Sequence, residues 1–177
     1  NQNRLAAFYA LQPHKRPPPM RPHVRFVFVL HNHQPVGNFD SVFAEAYERS
    51  YLPFLDLFEQ HPGIRMGLHT SGPLAEWLDQ HHGDYLDRLG RLAGEGRLEI
   101  VGGGFHEPIL AMLPSRDRIG QIQSYRDWLQ QRLAAPVRGA WVAERVWDPG
   151  MTADLAAAGV EWTILDDEHF KAAGLAD

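Results

Sequence analysis

The 177-residue chain contains no cysteine, which excludes disulfide bonds and metal sites built on thiolates. It also has no apolar run close to the roughly 18 residues needed to span a bilayer, so the sequence predicts no membrane partner. Acidic residues outnumber basic ones by 22 to 17, giving a net charge of -5. No basic stripe indicates nucleic acid as a partner, and 44% hydrophobic with 22% charged residues is typical of a globular domain.

The beginning of the chain differs from the rest in composition. Residues 1–23 contain five prolines among basic side chains. We expect this stretch to be a disordered leader and residues 24–177 to form one α/β domain.

Five short apolar segments alternate with segments in which apolar residues recur at helical spacing. The predicted strands are 24–30, 64–68, 97–101, 137–142 and 160–165. The intervening segments predict helices at 40–60, with a break at Pro53, and at 73–77, 85–92, 115–133 and 149–158. Such alternation is typical of a parallel sheet or barrel.

Five βα units do not close an eight-stranded barrel, which needs about 250 residues. We therefore expect the N-terminal part of a longer catalytic domain, truncated at the C-terminus. The alternative is an open sheet that folds by itself.

A cluster of reactive polar side chains follows every predicted strand, whereas the connections before the strands lack such clusters. The clusters read HNHQP, HTSG, GGGFHEP, AERVW and DDEHF. Because the carboxyl ends of parallel strands meet at one edge, one edge of the sheet carries nearly all of the reactive side chains. This asymmetry predicts an enzyme rather than a structural protein.

His31 and His33 follow the first strand two residues apart, so in extended backbone both side chains point the same way. They are candidates for metal ligands or for hydrogen-bond donors to a sugar. A zinc site requires a third protein ligand, for which the candidates are Asp166, Asp167 and His106. The spacing does not choose between these alternatives.

Glu144 stands beside Arg145 in a predicted strand-to-helix turn, between Trp141 and Trp147. A carboxylate between indoles suits an apolar-walled sugar pocket. The plainer alternatives are an exposed ion pair and two core tryptophans.

Two further glutamates are candidates. Glu107 follows three glycines, which let the backbone come close to a ligand. Glu99 lies inside a predicted strand, where a buried carboxylate needs a partner; Arg145 and His33 are the candidates, and the alternative is an outward-facing Glu99.

The five motifs together, in this order and spacing between Val24 and Leu175, resemble glycoside hydrolase family 57, within it the branch of 4-α-glucanotransferases and α-amylases. The resemblance implies an incomplete (β/α)7 barrel and retaining chemistry on α-1,4-linked glucans. It implies an α-glucan or maltooligosaccharide as substrate, no metal and no cofactor. We expect a cytoplasmic location.

The resemblance also assigns residues. Glu144 matches the catalytic nucleophile of the family, His33 a substrate-binding histidine with His31 close by, and Glu99 the glutamate of the second motif. The acid/base aspartate of the family lies on a later strand and has no counterpart before Asp177. The residues predicted to bind substrate are His31, His33, Gln34, Glu99, Glu107, Arg145, Trp147 and Asp166.

Two other functions stay open at this point. One is a metal-dependent hydrolase similar to polysaccharide deacetylases, in which His31, His33 and an aspartate hold zinc. The other is a glucan-binding fragment without catalytic activity.

Overall fold

A computed structural model describes residues 26–175 of the chain. Five parallel strands form one sheet, and their order in space is their order in the chain. The strands are β1 (Val29–Asn32), β2 (Met66–Thr70), β3 (Leu98–Gly103), β4 (Val137–Trp141) and β5 (Trp162–Thr163). The predicted leader, residues 1–23, lies outside the described residues.

Helices connect the strands, as the alternating pattern predicts. They are α1 (Asp40–Ala46), α2 (Leu52–Glu59), α3 (Gly72–His81), α4 (Gly83–Gly94), α5 (Ser115–Leu133), α6 (Met151–Ala157) and α7 (Asp167–Ala172). A π-helical turn, Tyr47–Tyr51, separates α1 from α2. It lies just before Pro53, whose missing N–H interrupts regular helical hydrogen bonding, so the break expected there is present.

The predicted strand boundaries were wrong by a few residues, and the direction differs between strands: β4 ends earlier than predicted and β5 is shorter at both ends. Strands β1, β2 and β3 begin and end later than predicted, because His31, His69 and Gly103 are strand residues that resemble loop residues in sequence. Strand β5 is only two residues long. Helix α7 was not predicted; it begins inside the DDEHF cluster, where Asp167 and Glu168 in its first turn favour a helix start.

The main core lies between the sheet and helices α2 to α5. Its most buried members include Leu55, Leu74, Leu78 and Leu92. Tyr125 of α5 is fully buried, and its hydroxyl donates a hydrogen bond to the backbone carbonyl of Thr70. This contact fixes α5 against the carboxyl end of β2, where the polar clusters gather.

A smaller apolar cluster packs beneath α6. It consists of Leu110, Ile122, Val142, Met151, Leu155 and Ala158. None of the helices within residues 26–175 has the length and apolarity required to cross a membrane.

Candidate active site

The sheet register brings three polar strand ends together. His31 of β1 is the register neighbour of His69 of β2. Side chains of register neighbours point to the same face, and His33 lies two residues after His31 on the same side. Three imidazoles therefore converge at the carboxyl edge of the sheet.

Glycine on β3 leaves space for the rings on either side. Gly103 pairs with Trp141 of β4. A Cβ on Gly103 would lie 2.9 Å from the Trp141 carbonyl oxygen and 3.0 Å from His69 Nε2, closer than such atoms pack. The triple glycine therefore lets neighbouring chains approach, and the indole of Trp141 stacks on His31 with centroids 4.5 Å apart.

Glu107 lies at the centre of the three imidazoles, which with it form the His–Glu cluster (His31, His33, His69 and Glu107). Its Oε2 contacts His33 Nδ1, and its Oε1 lies 3.3 Å from His69 Nδ1 and 3.6 Å from His31 Nδ1. His31 Nδ1 and His69 Nδ1 are 2.8 Å apart. The Glu107 side chain is only 6% exposed, and its Oε1 forms no hydrogen bond.

Burial decides the charge of the His–Glu cluster. It lowers the pKa of His31 to about 4; the positive charge of His33 adds to this shift and Glu144 opposes it. It also lowers the pKa of His33 and of the fully buried His69. Burial raises the pKa of Glu107 to about 7, with a further contribution from the charge of Glu144. At neutral pH the histidines are therefore uncharged and can donate or accept hydrogen bonds.

Glu144 follows β4 in a single turn of 3-10 helix, Ala143–Arg145. Its φ is +53° and that of Arg145 is +54°, a left-handed conformation that is unfavourable for residues other than glycine. Residues held in such strain cluster at functional sites. Glu144 is exposed, and its charge is near enough to influence the pKa of His31, His33 and Glu107.

Arg145 connects the ends of β4 and β5. Its Nε donates a hydrogen bond of 2.6 Å to Asp166, and its guanidinium lies 5.9 Å from the Trp141 ring centroid. The predicted residues Arg145 and Asp166 are thus paired with one another beside Glu144.

Two predicted site residues, Gln34 and Trp147, have other neighbours. The side chain of Gln34 binds Tyr51 and Asn38, so it holds its own loop. Trp147 packs against the smaller apolar cluster, in agreement with the alternative that it is a core tryptophan. Their roles in substrate binding stay predictions.

Glu99 is exposed and accepts a hydrogen bond of 3.1 Å from Trp162 Nε1, rather than one from Arg145 or His33. It lines a cavity of about 550 Å³ together with Gly67 and Arg97. None of the histidines of the His–Glu cluster lines this cavity, and neither does Glu144. Its predicted role also stays a prediction.

None of the third ligands considered for a zinc site joins His31 and His33. His106 binds Gln121, Asp166 binds Arg145, and Asp167 binds Lys171. The carboxylate that does approach the two histidines is Glu107.

Sequence reasoning did not select His69 as a site residue, although it noted the polar cluster after the second strand. The signal was a histidine at matching positions near the ends of two consecutive strands. Recognising it required the register of β1 and β2, which the apolar pattern misplaced.

The fold and the site define a parallel α/β protein with a carboxylate and imidazole site at the carboxyl edge of its sheet. The chain belongs to glycosyl hydrolase family 57, whose model matches residues 27–176. The fold prediction, βα units of an incomplete (β/α)7 barrel, is confirmed for the five units that the structure describes.

Two similar proteins carry names within the predicted branch. A 4-alpha-glucanotransferase of Thermococcus litoralis is 47% identical over 152 residues, which cover 86% of this chain and 23% of that protein. An alpha-amylase of Pyrococcus furiosus is 46% identical with the same coverage. The crystal structure of the Thermococcus litoralis 4-alpha-glucanotransferase superposes with a TM-score of 0.80 over 85% of this chain. The chain thus spans 23% of the length of these relatives.

Proposed function

We propose that this chain supplies the nucleophile of a retaining enzyme that acts on α-1,4-linked glucans, as a 4-α-glucanotransferase or an α-amylase. The observation that carries the proposal is the position of Glu144. Its exposed carboxylate stands at the carboxyl edge of the sheet on a strained turn, and its charge influences the pKa of His31, His33 and Glu107. Family membership and the names of the similar proteins support the same activity.

In the proposed reaction the Glu144 carboxylate attacks the anomeric carbon and forms a glycosyl–enzyme intermediate. An acid/base carboxyl about 5–5.5 Å from the nucleophile protonates the leaving oxygen and then deprotonates the acceptor. The family resemblance assigns that second role to an aspartate on a later strand. Water as acceptor gives hydrolysis, and a sugar hydroxyl gives glucan transfer.

The neighbours of Glu144 suit a neutral sugar ring. His31 and His33 are uncharged at neutral pH, because burial lowers the pKa of both, so they can exchange hydrogen bonds with hydroxyls. Trp141 provides an aromatic face beside them, although His31 already covers part of it. The Arg145–Asp166 pair borders the site on the side of β5. A cytoplasmic location stays a prediction.

The test is incubation of maltotriose with the protein expressed from the full gene and with its Glu144→Gln variant, followed by separation of the products. We expect longer oligosaccharides or glucose and maltose from the wild type, and at least about a 1,000-fold lower rate from the variant, because a nucleophile is lost. Glu168→Gln is the matched control, since Glu168 is an exposed glutamate of α7 paired with Lys171. Retained activity in Glu144→Gln contradicts the assignment, and absence of any product from the wild type favours the glucan-binding alternative.

A further inference from the structure

The His–Glu cluster has a property that glucan binding does not require, namely the convergence of metal-binding atoms. Each of His31, His33 and Glu107 offers one donor atom, and these three atoms lie within 4.8 Å of one another. Imidazole nitrogens and carboxylate oxygens are the ligand types that zinc binds when cysteine is absent. Within residues 26–175, His31, His33 and Glu107 are the side chains whose donor atoms have the spacing of metal ligands.

The spacing of the donor atoms is close to that of a zinc site. Zinc bonds to nitrogen and oxygen of about 2.0–2.1 Å place the ligands of a tetrahedral site about 3.3–3.4 Å apart. Glu107 Oε1 lies 3.6 Å from His31 Nδ1. The third ligand, His33, contacts Glu107 Oε2 directly through its Nδ1, so a bound ion would take the place of that contact.

The carboxylate of Glu107 provides a second, independent observation. Its side chain is more than nine-tenths buried, yet its Oε1 has no hydrogen-bond partner and points toward the histidines. A buried carboxylate oxygen without a partner costs free energy. A cation bound by Glu107 and the two histidines would satisfy it.

The ligands are also held in position from behind. His69 is fully buried, and its ring stacks on that of His31 with centroids 4.9 Å apart. Trp141 stacks on the other side of His31, and Glu107 sits in a fixed left-handed turn with a φ of +49°. Such outer contacts orient metal ligands and strengthen binding.

We propose that His31, His33 and Glu107 form a site for a divalent transition-metal ion such as Zn²⁺, with His69 as a positioning residue. The side chains of His31 and His33 are 29% and 40% exposed, so a further coordination position faces solvent. Resting on the proposed function, the inference makes this an inhibitory site, because an ion on these histidines excludes the glucan that they would otherwise contact.

The test is calorimetric titration of Zn²⁺ into the full chain after dialysis against a chelator. We expect one ion per chain, with an affinity at least about tenfold lower in His33→Ala and in Glu107→Gln. His106→Ala is the matched control, because His106 lies on the same loop as Glu107 but binds Gln121. Circular dichroism melting of each variant separates lost ligands from lost fold.

Any one of three results overturns the metal site. The first is that the wild type does not bind zinc. The second is that folded His33→Ala and Glu107→Gln bind zinc as tightly as the wild type, and the third is that His106→Ala binds it more weakly than His33→Ala. A repeat titration in saturating maltotriose separates this inference from the proposed function. We expect the sugar to weaken zinc binding. If zinc binding depends on His33 but is unaffected by the sugar, the metal site is supported and the proposed contact of these histidines with the glucan is contradicted.

Discussion

The two consecutive left-handed residues at the end of β4 are the strained point of the candidate site. Glu144 and Arg145 have φ angles of +53° and +54°. This conformation costs an ordinary residue about 1–2 kcal/mol. A stable fold keeps such a turn only if the surrounding structure requires it, and this turn exposes Glu144 at the carboxyl edge of the sheet.

The strain predicts that Glu144→Gly is more stable than Glu144→Ala. Both variants remove the carboxylate, but only glycine adopts a positive φ without a Cβ penalty. Glycine also lowers the free energy of unfolding by about 0.5–1 kcal/mol, because it increases the entropy of the unfolded chain. We therefore expect the glycine variant to be more stable by a net amount of about 0.5–1 kcal/mol. Urea denaturation of the two variants measures it. Equal stability, or a more stable alanine variant, would mean that the turn is not strained.

At the residue scale the sequence located the carboxylates and histidines that follow apolar segments. Glu144, Glu107, His31 and His33 were all selected on that basis. It did not find His69, which is a strand residue whose contact with His31 depends on register. Nor does the sequence reveal that Trp141, the last residue of β4, stacks on His31, whereas Trp147 in the following loop packs against the smaller apolar cluster.

At the scale of elements, the sheet depends on small residues where aromatic rings cross it. Gly139 of β4 is the register neighbour of Trp162 of β5. A Cβ on Gly139 would fall on the six-membered ring of that indole. The Trp162 ring in turn donates its hydrogen bond to Glu99, so the ring has little freedom to move away.

We therefore expect Gly139→Ala to lower the free energy of unfolding by about 1–3 kcal/mol, the usual cost of overpacking. Thermal or urea unfolding measures the change. Gly120→Ala is the matched control, since a Cβ at Gly120 meets open space within helix α5. We expect that control to be stabilised by about 0.5–1 kcal/mol. A Gly139→Ala protein as stable as the wild type would show that Trp162 does not occupy this position.

Element boundaries were the part of the fold that the sequence predicted least well. The apolar pattern ends at Leu30 and Leu68, but the backbone of β1 and β2 continues through His31 and His69. The hydrogen bonds of the ladder, rather than side-chain polarity, decide where a strand ends. Polar residues of the candidate site occupy those last positions. Their polarity indicated the site, but it also ended the apolar pattern before the strands themselves end.

At the scale of the whole molecule, the alternation of strands and helices was sufficient to predict a parallel α/β fold and to place the reactive side chains on one edge. The sequence alone does not distinguish a closed barrel from an open sheet. That distinction depends on elements that pair with the outer strands, and the family relationship supplied it.

Buried uncharged histidines predict that the stability of the molecule depends on pH. In the unfolded chain His31 takes up a proton near its ordinary pKa of 6.5, whereas in the folded chain burial lowers that pKa to about 4. Between these values the unfolded state binds more protons, so stability falls as the pH falls. His33 and His69 act in the same direction, because burial lowers the pKa of both.

Glu107 acts in the opposite direction. Burial raises its pKa from 4.5 to about 7, so over that range the folded state binds more protons and acidification favours folding. Three histidines outweigh one glutamate, and we expect the melting temperature to fall between pH 7 and pH 5 when a chelator is present. The fall should be smaller in His31→Gln. A melting temperature independent of pH, or an equal fall in both proteins, would contradict the buried neutral histidines.

If Glu144 is the nucleophile, the covalent intermediate forms on its carboxylate and can be trapped there. A fluorinated maltosyl fluoride carries a leaving group that departs without protonation, so labelling does not depend on the acid/base residue. Mass spectrometry of the digested protein then locates the sugar. We expect one added sugar on the peptide that contains Glu144 and none after Glu144→Gln. A sugar attached to Glu107 or to another carboxylate, or no labelled peptide at all, would contradict it.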